Sequence, residues 1–174
     1  MQLNAATLNH DNSAASRPER AGKYLIFQLG KEEFGAPVLA VREIMGVQDI
    51  TAVPHTPAYL KGVINLRGKV IPVIDLRLKF GMAELAYTRQ TCIVVVQMHV
   101  SGTLVLMGLV VDEVAEVLTL SETDIEDAPD FERGVATDYL LGLAKIKGKV
   151  KILLDIDQVL SARELKGLDA LLQP

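Results

Sequence analysis

The stretch GVINLRGKVIPVIDL, residues 62–76, returns eighty positions later as GLAKIKGKVKILLDI, residues 142–156. The leading glycines, Lys69/Lys149, Val70/Val150 and Asp75/Asp155 match without a gap, and Leu66/Ile146, Arg67/Lys147 and Leu76/Ile156 match conservatively. Two further blocks follow the same order. YLIFQL (24–29) parallels CIVVVQM (92–98), and VREIMGVQDI (41–50) parallels VDEVAEVLTL (111–120) at an offset of seventy. About ten extra residues therefore enter the second half, around SETDIEDAPDFERGVATD. Ordered blocks of this length indicate an internal duplication whose unit is longer than a solenoid repeat. Whatever one half folds into, the other must fold into as well.

Each half reads as short strands. Residues 24–29, 34–45, 62–67 and 69–76 are rich in Val, Ile and Leu and are punctuated by Gly, Pro or charge. Arg67-Gly68 and Lys147-Gly148 have the character of tight turns, with glycine supplying a positive φ. Pro54, Pro57 and PAYL suggest a single helical turn between strands, and a shorter one is expected after Asp75, over LRLKF. The pattern predicts a mainly β fold of two small antiparallel barrels side by side, because closure removes exposed sheet edges. Helix is expected at the C-terminus, where Val159, Leu160, Leu165, Leu168 and Leu172 share a face. The implied organisation is a flexible tail over 1–22, rich in Asn, Ala and Ser, then one domain over 23–174. Within it, one barrel covers about 23–88, a second about 89–160, and the helix about 157–172.

Composition narrows the chemistry. Of 174 residues 49% are apolar, so a sizeable core is available, but with no Trp, four Tyr and four Phe it must be built from aliphatic side chains. A formal net charge of −4 argues against a nucleic-acid backbone as partner, and few aromatics argue against a single-strand binder. The lone Cys92 excludes an internal disulfide and sits in an apolar strand, as a buried structural thiol would. No apolar run has the length of a signal sequence or a membrane span, so an intracellular protein is expected.

Catalytic and metal signatures are lacking. His10, His55 and His99 are scattered without ligand spacing, and no GxGxxG, Walker or GxSxG motif occurs. The acidic run SETDIEDAPDFE lacks the spacing of a calcium loop. Ile125 and Phe131 within it are candidate anchors for a partner, since an apolar residue on an exposed loop can serve that purpose. Asp75 and Asp155 close matching strands; their equivalence points to a shared structural task, capping the following turn. Neither an enzyme nor a cofactor is expected.

The run VREIMGVQDITAVPHTPAYLKGVINLRGKVIPVIDLRLKFG (41–81) resembles the CheW family of bacterial chemotaxis coupling proteins, through VREI, ITAVPHTP and above all KGVINLRGKVIPVIDLR. The resemblance extends from about Tyr24 to the C-terminal helix. It implies a non-catalytic adaptor of two five-stranded SH3-like barrels on a shared core. Such an adaptor would couple methyl-accepting chemoreceptor tips, docked in the groove between barrels, to a CheA-like histidine kinase in the cytoplasm at membrane-associated receptor arrays. Direct membrane insertion is not expected. A paralogue serving a pilus or developmental pathway is the alternative, and a small-molecule-binding double barrel the more distant one.

Carried onto this sequence, the resemblance makes Arg67 of NLRG a receptor contact. Val41 and Glu43 of VREI join it, with strand alternation placing both on one face. Val117 is the candidate from the second barrel. Gly62 would allow close backbone approach, or simply bend the barrel. Ile125 and Phe131 fall to the kinase side. The divergence of NLR from KIK then has a meaning: Arg offers a planar fork of donors and Lys a point charge, so the two copies face different surroundings.

Overall fold

The computed structural model describes residues 19–129 and 138–172. The first half contributes β1 (Gly22–Leu29), β2 (Glu32–Pro37), β3 (Val41–Gly46), β4 (Leu60–Leu66), β5 (Lys69–Asp75) and a short helix α1 (Leu76–Lys79). The second contributes β6 (Cys92–Val100), β7 (Thr103–Val111), β8 (Glu113–Leu120), β9 (Ile125–Glu126), β10 (Leu140–Ile146), β11 (Lys149–Leu154) and helix α2 (Ala162–Leu172). Residues 54–59 form turns rather than the expected helical one. Two prolines within four positions leave too few backbone donors to close a helical turn there.

The strands form two sheets, ordered β8-β1-β2-β11-β10-β9 and β3-β6-β7-β5-β4. Both close by the same device. In the second, Thr51, beyond the end of β3, exchanges two 2.9 Å backbone bonds with Val63 of β4. In the first, β9, beyond the end of β8, pairs with β10. We call them the Lys147 barrel and the Arg67 barrel, after the turns that join β10 to β11 and β4 to β5.

This order corrects the sequential division at about residue 88. The hairpin β1-β2 lies in the Lys147 barrel, and β6-β7 lies in the Arg67 barrel. Each half lends its first two strands to the other. Substituting β1 for β6, β2 for β7, β8 for β3, β11 for β5 and β10 for β4 turns one strand order into the other, so the duplication survives as a two-fold relation between barrels.

The pairing also revises the middle block of the alignment. Glu43 stands opposite Val95, and Glu116 opposite Ile26. Bulges skip Arg42 in β3 and Ala115 in β8. Ile44 corresponds to Val117 and Glu43 to Glu116, an offset of seventy-three rather than seventy. Gly35 and Gly108 correspond likewise, and a Cβ on either would come within 3 Å of a core side chain, of Leu153 and of Ile93 respectively. The eighty-residue offset of the last block is kept in full. Leu60/Gly62 and Leu140/Gly142 carry matching bulges, and Tyr59 and Tyr139 each accept a 2.8 Å bond from the N–H of Asp75 or Asp155.

Because neighbours cover both faces of β1 and β6, those strands read as continuous apolar runs. Tyr24 and Ile26 fill the Lys147 barrel, and Ile93 and Val95 fill the Arg67 barrel. The alternate residues Leu25, Phe27, Val94 and Val96 meet in a core between the barrels, with Leu154, Val159, Leu160 and Leu168. Phe27, Phe34, Phe80 and Tyr139 stack in series, with centroids 6.1, 5.6 and 4.9 Å apart.

Asp75 caps α1, accepting from the N–H groups of Arg77 (2.9 Å) and Leu78 (3.4 Å), and Asp155 accepts from Asp157 N–H. Burial holds both carboxyls above the usual carboxylate range. The C-terminal helix starts later than expected. Val159 and Leu160 precede it, and Ser161 and Glu164 cap it reciprocally at 2.8 and 3.2 Å.

The barrels differ in charge at an interior place. Lys151 of β11 pairs with Glu33 of β2 at 2.9 Å, and their side chains are only 6% and 22% exposed. The Arg67 barrel has the apolar Ile71 and Leu106 at the corresponding positions. Residues 1–18 lie outside the described residues. Arg20, placed in the tail by the sequence, is instead tied to Glu122 at 2.6 Å and Asp127 at 2.7 Å, and Tyr24 donates to its carbonyl at 2.6 Å.

Candidate functional site

The turn after β4 has two residues, and such turns follow the strand twist in the type I′ form, with positive φ at both, or the type II′ form, with positive φ at the first. Arg67 has φ 49° and Gly68 89°; Lys147 and Gly148 have 52° and 79°. Glycine alone therefore does not supply the turn, and the arginine adopts the left-handed conformation too. The Gly68 N–H donates to Asn65 Oδ1 at 2.8 Å, fixing the tip.

From this tip the Arg67 guanidinium reaches Glu43 on the edge strand β3, at 3.1 and 3.2 Å from the two carboxylate oxygens. The arginine side chain is 74% exposed. An ion pair so open to water contributes about 0–1 kcal/mol. Its effect is positional: one donor is held inward by Glu43, and the rest of the fork is presented to solvent.

Val41 and Glu43 do not share a face. The bulge at Arg42 puts Val41 opposite Val96, packed on the central core, and Glu43 opposite Val95, on the side of the barrel's own core. The exposed apolar residues here are ones the sequence reading missed, Ile44 and Leu39, the latter 90% exposed. The corrected register would have found Ile44, since its counterpart Val117 was already a candidate; nothing in the sequence marks Leu39. Val117 is exposed on β8 of the other barrel.

Gly62 is buried. A Cβ there would stand 2.0 Å from the Thr51 carbonyl oxygen, and its φ is 144°. Its task is the close approach that shuts the Arg67 barrel, and it supports the surface without forming it. Ile125 is not an exposed anchor: it is 5% exposed and packed with Tyr24, Ile26, Leu120, Ala144 and Leu153. The acidic loop carries it inward because β9 closes the barrel. Phe131 lies outside the described residues.

Among the described residues no cluster of His, Cys, Asp or Glu could hold a metal. No helix there is long and apolar enough to cross a membrane. Two edge strands with exposed aliphatics, and an arginine fork offered from a rigid turn, have the makings of a docking surface.

Comparison with known proteins agrees. The CheW-like domain family matches residues 23–164. The chemotaxis protein CheW of Klebsiella aerogenes is 42% identical over 147 residues, 84% of this chain and 86% of that protein. CheW of Rhizobium meliloti is 37% identical over 87% of this chain and 96% of its own length. Protein FrzA of Myxococcus xanthus is 30% identical over 78% and 81%. The crystal structure of the scaffolding protein TtCheW from Thermoanaerobacter tengcongensis superposes with a TM-score of 0.73 at 33% identity, covering 83% of this chain and 97% of that one.

Proposed function

The chain belongs to the CheW family of non-catalytic scaffold and adaptor proteins, and on that premise we propose that it couples chemoreceptor cytoplasmic tips to a CheA-type histidine kinase. It would work in the cytoplasm, recruited to membrane-associated receptor arrays. The 30% identity to FrzA is lower than the 42% and 37% to the CheW proteins of Klebsiella aerogenes and Rhizobium meliloti, so chemotaxis is preferred to service in another pathway.

The observation that carries the receptor assignment is the Arg67–Glu43 pair. A guanidinium with free donors, aimed by a rigid turn and bordered by an edge strand with exposed Ile44, suits a helical hairpin that offers both an acceptor and an apolar stripe. Val117 would extend the contact on the second barrel. Kinase contact falls to Phe131; Ile125, being buried, is withdrawn from it.

Binding of the purified chain to a receptor cytoplasmic fragment and to the kinase tests this. Arg67→Ala lowers receptor affinity about thirtyfold, or ~2 kcal/mol, and leaves kinase binding and the melting temperature near wild type. Phe131→Ser weakens the kinase alone. Unchanged receptor binding in Arg67→Ala, or collapse of the fold, refutes the receptor assignment.

A further inference from the structure

The two-fold relation between the barrels supplies an internal control for every surface residue, and it sets the two hairpin tips apart. At the first tip one of the two cations is neutralised within the chain, Arg67 by Glu43, while Lys69 has no carboxylate partner among the described residues. At the second, the corresponding residues Lys147 and Glu116 are both exposed and do not pair. Of the lysines in KIKGKVK, Lys151 is paired inside the barrel with Glu33, and Lys145 meets Glu126 at 3.4 Å. Lys147 and Lys149 have no carboxylate within 4.0 Å among the described residues. Val150, opposite Lys145 in the ladder, adds an exposed apolar surface. A protein with an overall charge of −4 thus concentrates uncompensated positive charge on one rigid turn.

We propose that the tip Lys147-Gly148-Lys149-Val150 is a docking point for a carboxylate-bearing protein surface. It is separate from the Arg67 site and independent of the receptor and kinase assignments. The positive φ of Lys147 and Gly148 fixes the course of the main chain from which the lysine side chains spring, so little conformational freedom is lost in the backbone on binding. The small extent of the free charge favours a protein group over a lipid surface. β9 pairs with β10, and the nearby Glu126 and Asp127 are paired with Lys145 and Arg20, so the free cations are confined to the turn, a narrow target for a few carboxylates rather than for a broad anionic lipid plane. The described part of the tip offers no aromatic ring for a nucleic-acid base to stack on. A partner with two or three carboxylates, narrow enough to miss Glu126, meets both conditions.

The test is an NMR titration of the full ¹⁵N-labelled chain at low salt with a synthetic glutamate-rich dodecapeptide, and in parallel with phosphatidylglycerol vesicles. The peptide shifts the amides of Lys147, Gly148, Lys149 and Val150 saturably, leaves those of Arg67, Gly68 and Lys69 in place, and loses the effect at high salt. Lys147→Gln with Lys149→Gln, checked for an unchanged melting temperature, weakens it about tenfold, or ~1.4 kcal/mol. Arg67→Gln, whatever it does to receptor binding, leaves the peptide's affinity for the Lys147 tip unchanged. Equal shifts at both tips, unchanged affinity in the double variant, or capture by vesicles with none by the peptide overturns the proposal.

Discussion

The ion pair of Lys151 and Glu33 crosses the seam where one half's β2 meets the other half's β11. Breaking a fully buried pair from one side costs about 3–5 kcal/mol, because a charge is left in a poor solvent. Here the partners are unequal. Glu33, 22% exposed, can recover some hydration when Lys151 is replaced, so Lys151→Met should destabilise by about 1.5 kcal/mol. Lys151, 6% exposed, recovers less when Glu33 is lost, so Glu33→Leu should cost about 2.5 kcal/mol. The double variant recreates the apolar pairing that the other barrel has in Ile71 and Leu106. Met fits the space of the lysine stem beside Ala144, where the Arg67 barrel has Ile64. It should fall within ~1 kcal/mol of wild type, giving a coupling of about 3 kcal/mol, at the upper end for contacting residues. Urea denaturation of the four proteins at one pH and salt concentration measures this. In melting temperature, ~1 kcal/mol is about 2–4 °C for a chain of this size. If the double variant loses as much as the two singles together, the pair is not an isolated substitution for an apolar contact, and the reasoning fails.

Gly62→Ala should cost ~3 kcal/mol or more, read as a loss of soluble yield or a lower urea midpoint, since its Cβ meets a backbone oxygen at 2.0 Å; Gly142→Ala, whose first clash is with the Ile125 side chain at 2.6 Å, should be milder. Burial raises the Asp75 and Asp155 carboxyls, so the native state keeps protons that the unfolded chain releases at the ordinary carboxylate value. Their contribution to stability therefore declines as pH rises from that value through the raised ones, and Asp75→Asn, which keeps the capping acceptor, should flatten the melting-temperature profile there. Residues 1–88 and 89–174 expressed separately should be poorly folded, the first lacking two strands of the Arg67 barrel and four of the other, the second lacking two strands of the Lys147 barrel and three of the other, and two well-dispersed NMR spectra that overlay on that of the intact chain would contradict it.

Much of this architecture was legible because the duplication wrote it twice. Two copies of a Gly-punctuated apolar pattern with capping aspartates could only be two like β units. What escaped the sequence was non-local. That β1 and β2 belong with β10 and β11 is decided by pairings more than a hundred residues apart, to which local propensity is blind. Ile125 misled because acidic neighbours describe one side of a strand, whereas a two-residue strand buries the other. Arg67 stood out through its motif, yet Glu43, with which it pairs, was expected to reach outward. The bulge at Arg42, which breaks strict alternation and turns Glu43 from Val41's face, has no signature in VREI.

The exchange of strands between halves has a consequence for how such a molecule could arise. In the arrangement seen here neither half completes a barrel with its own strands, and an unfused pair of units that kept it would have had to insert their hairpins into each other. The ancestor of this chain would then have been an intertwined homodimer, and gene fusion a way of making the exchange intramolecular. Segment 81–90, exposed save for Met82, joins the halves and would be the junction in such a history. It holds the two units at a high effective concentration, so that an association once dependent on protein abundance no longer is.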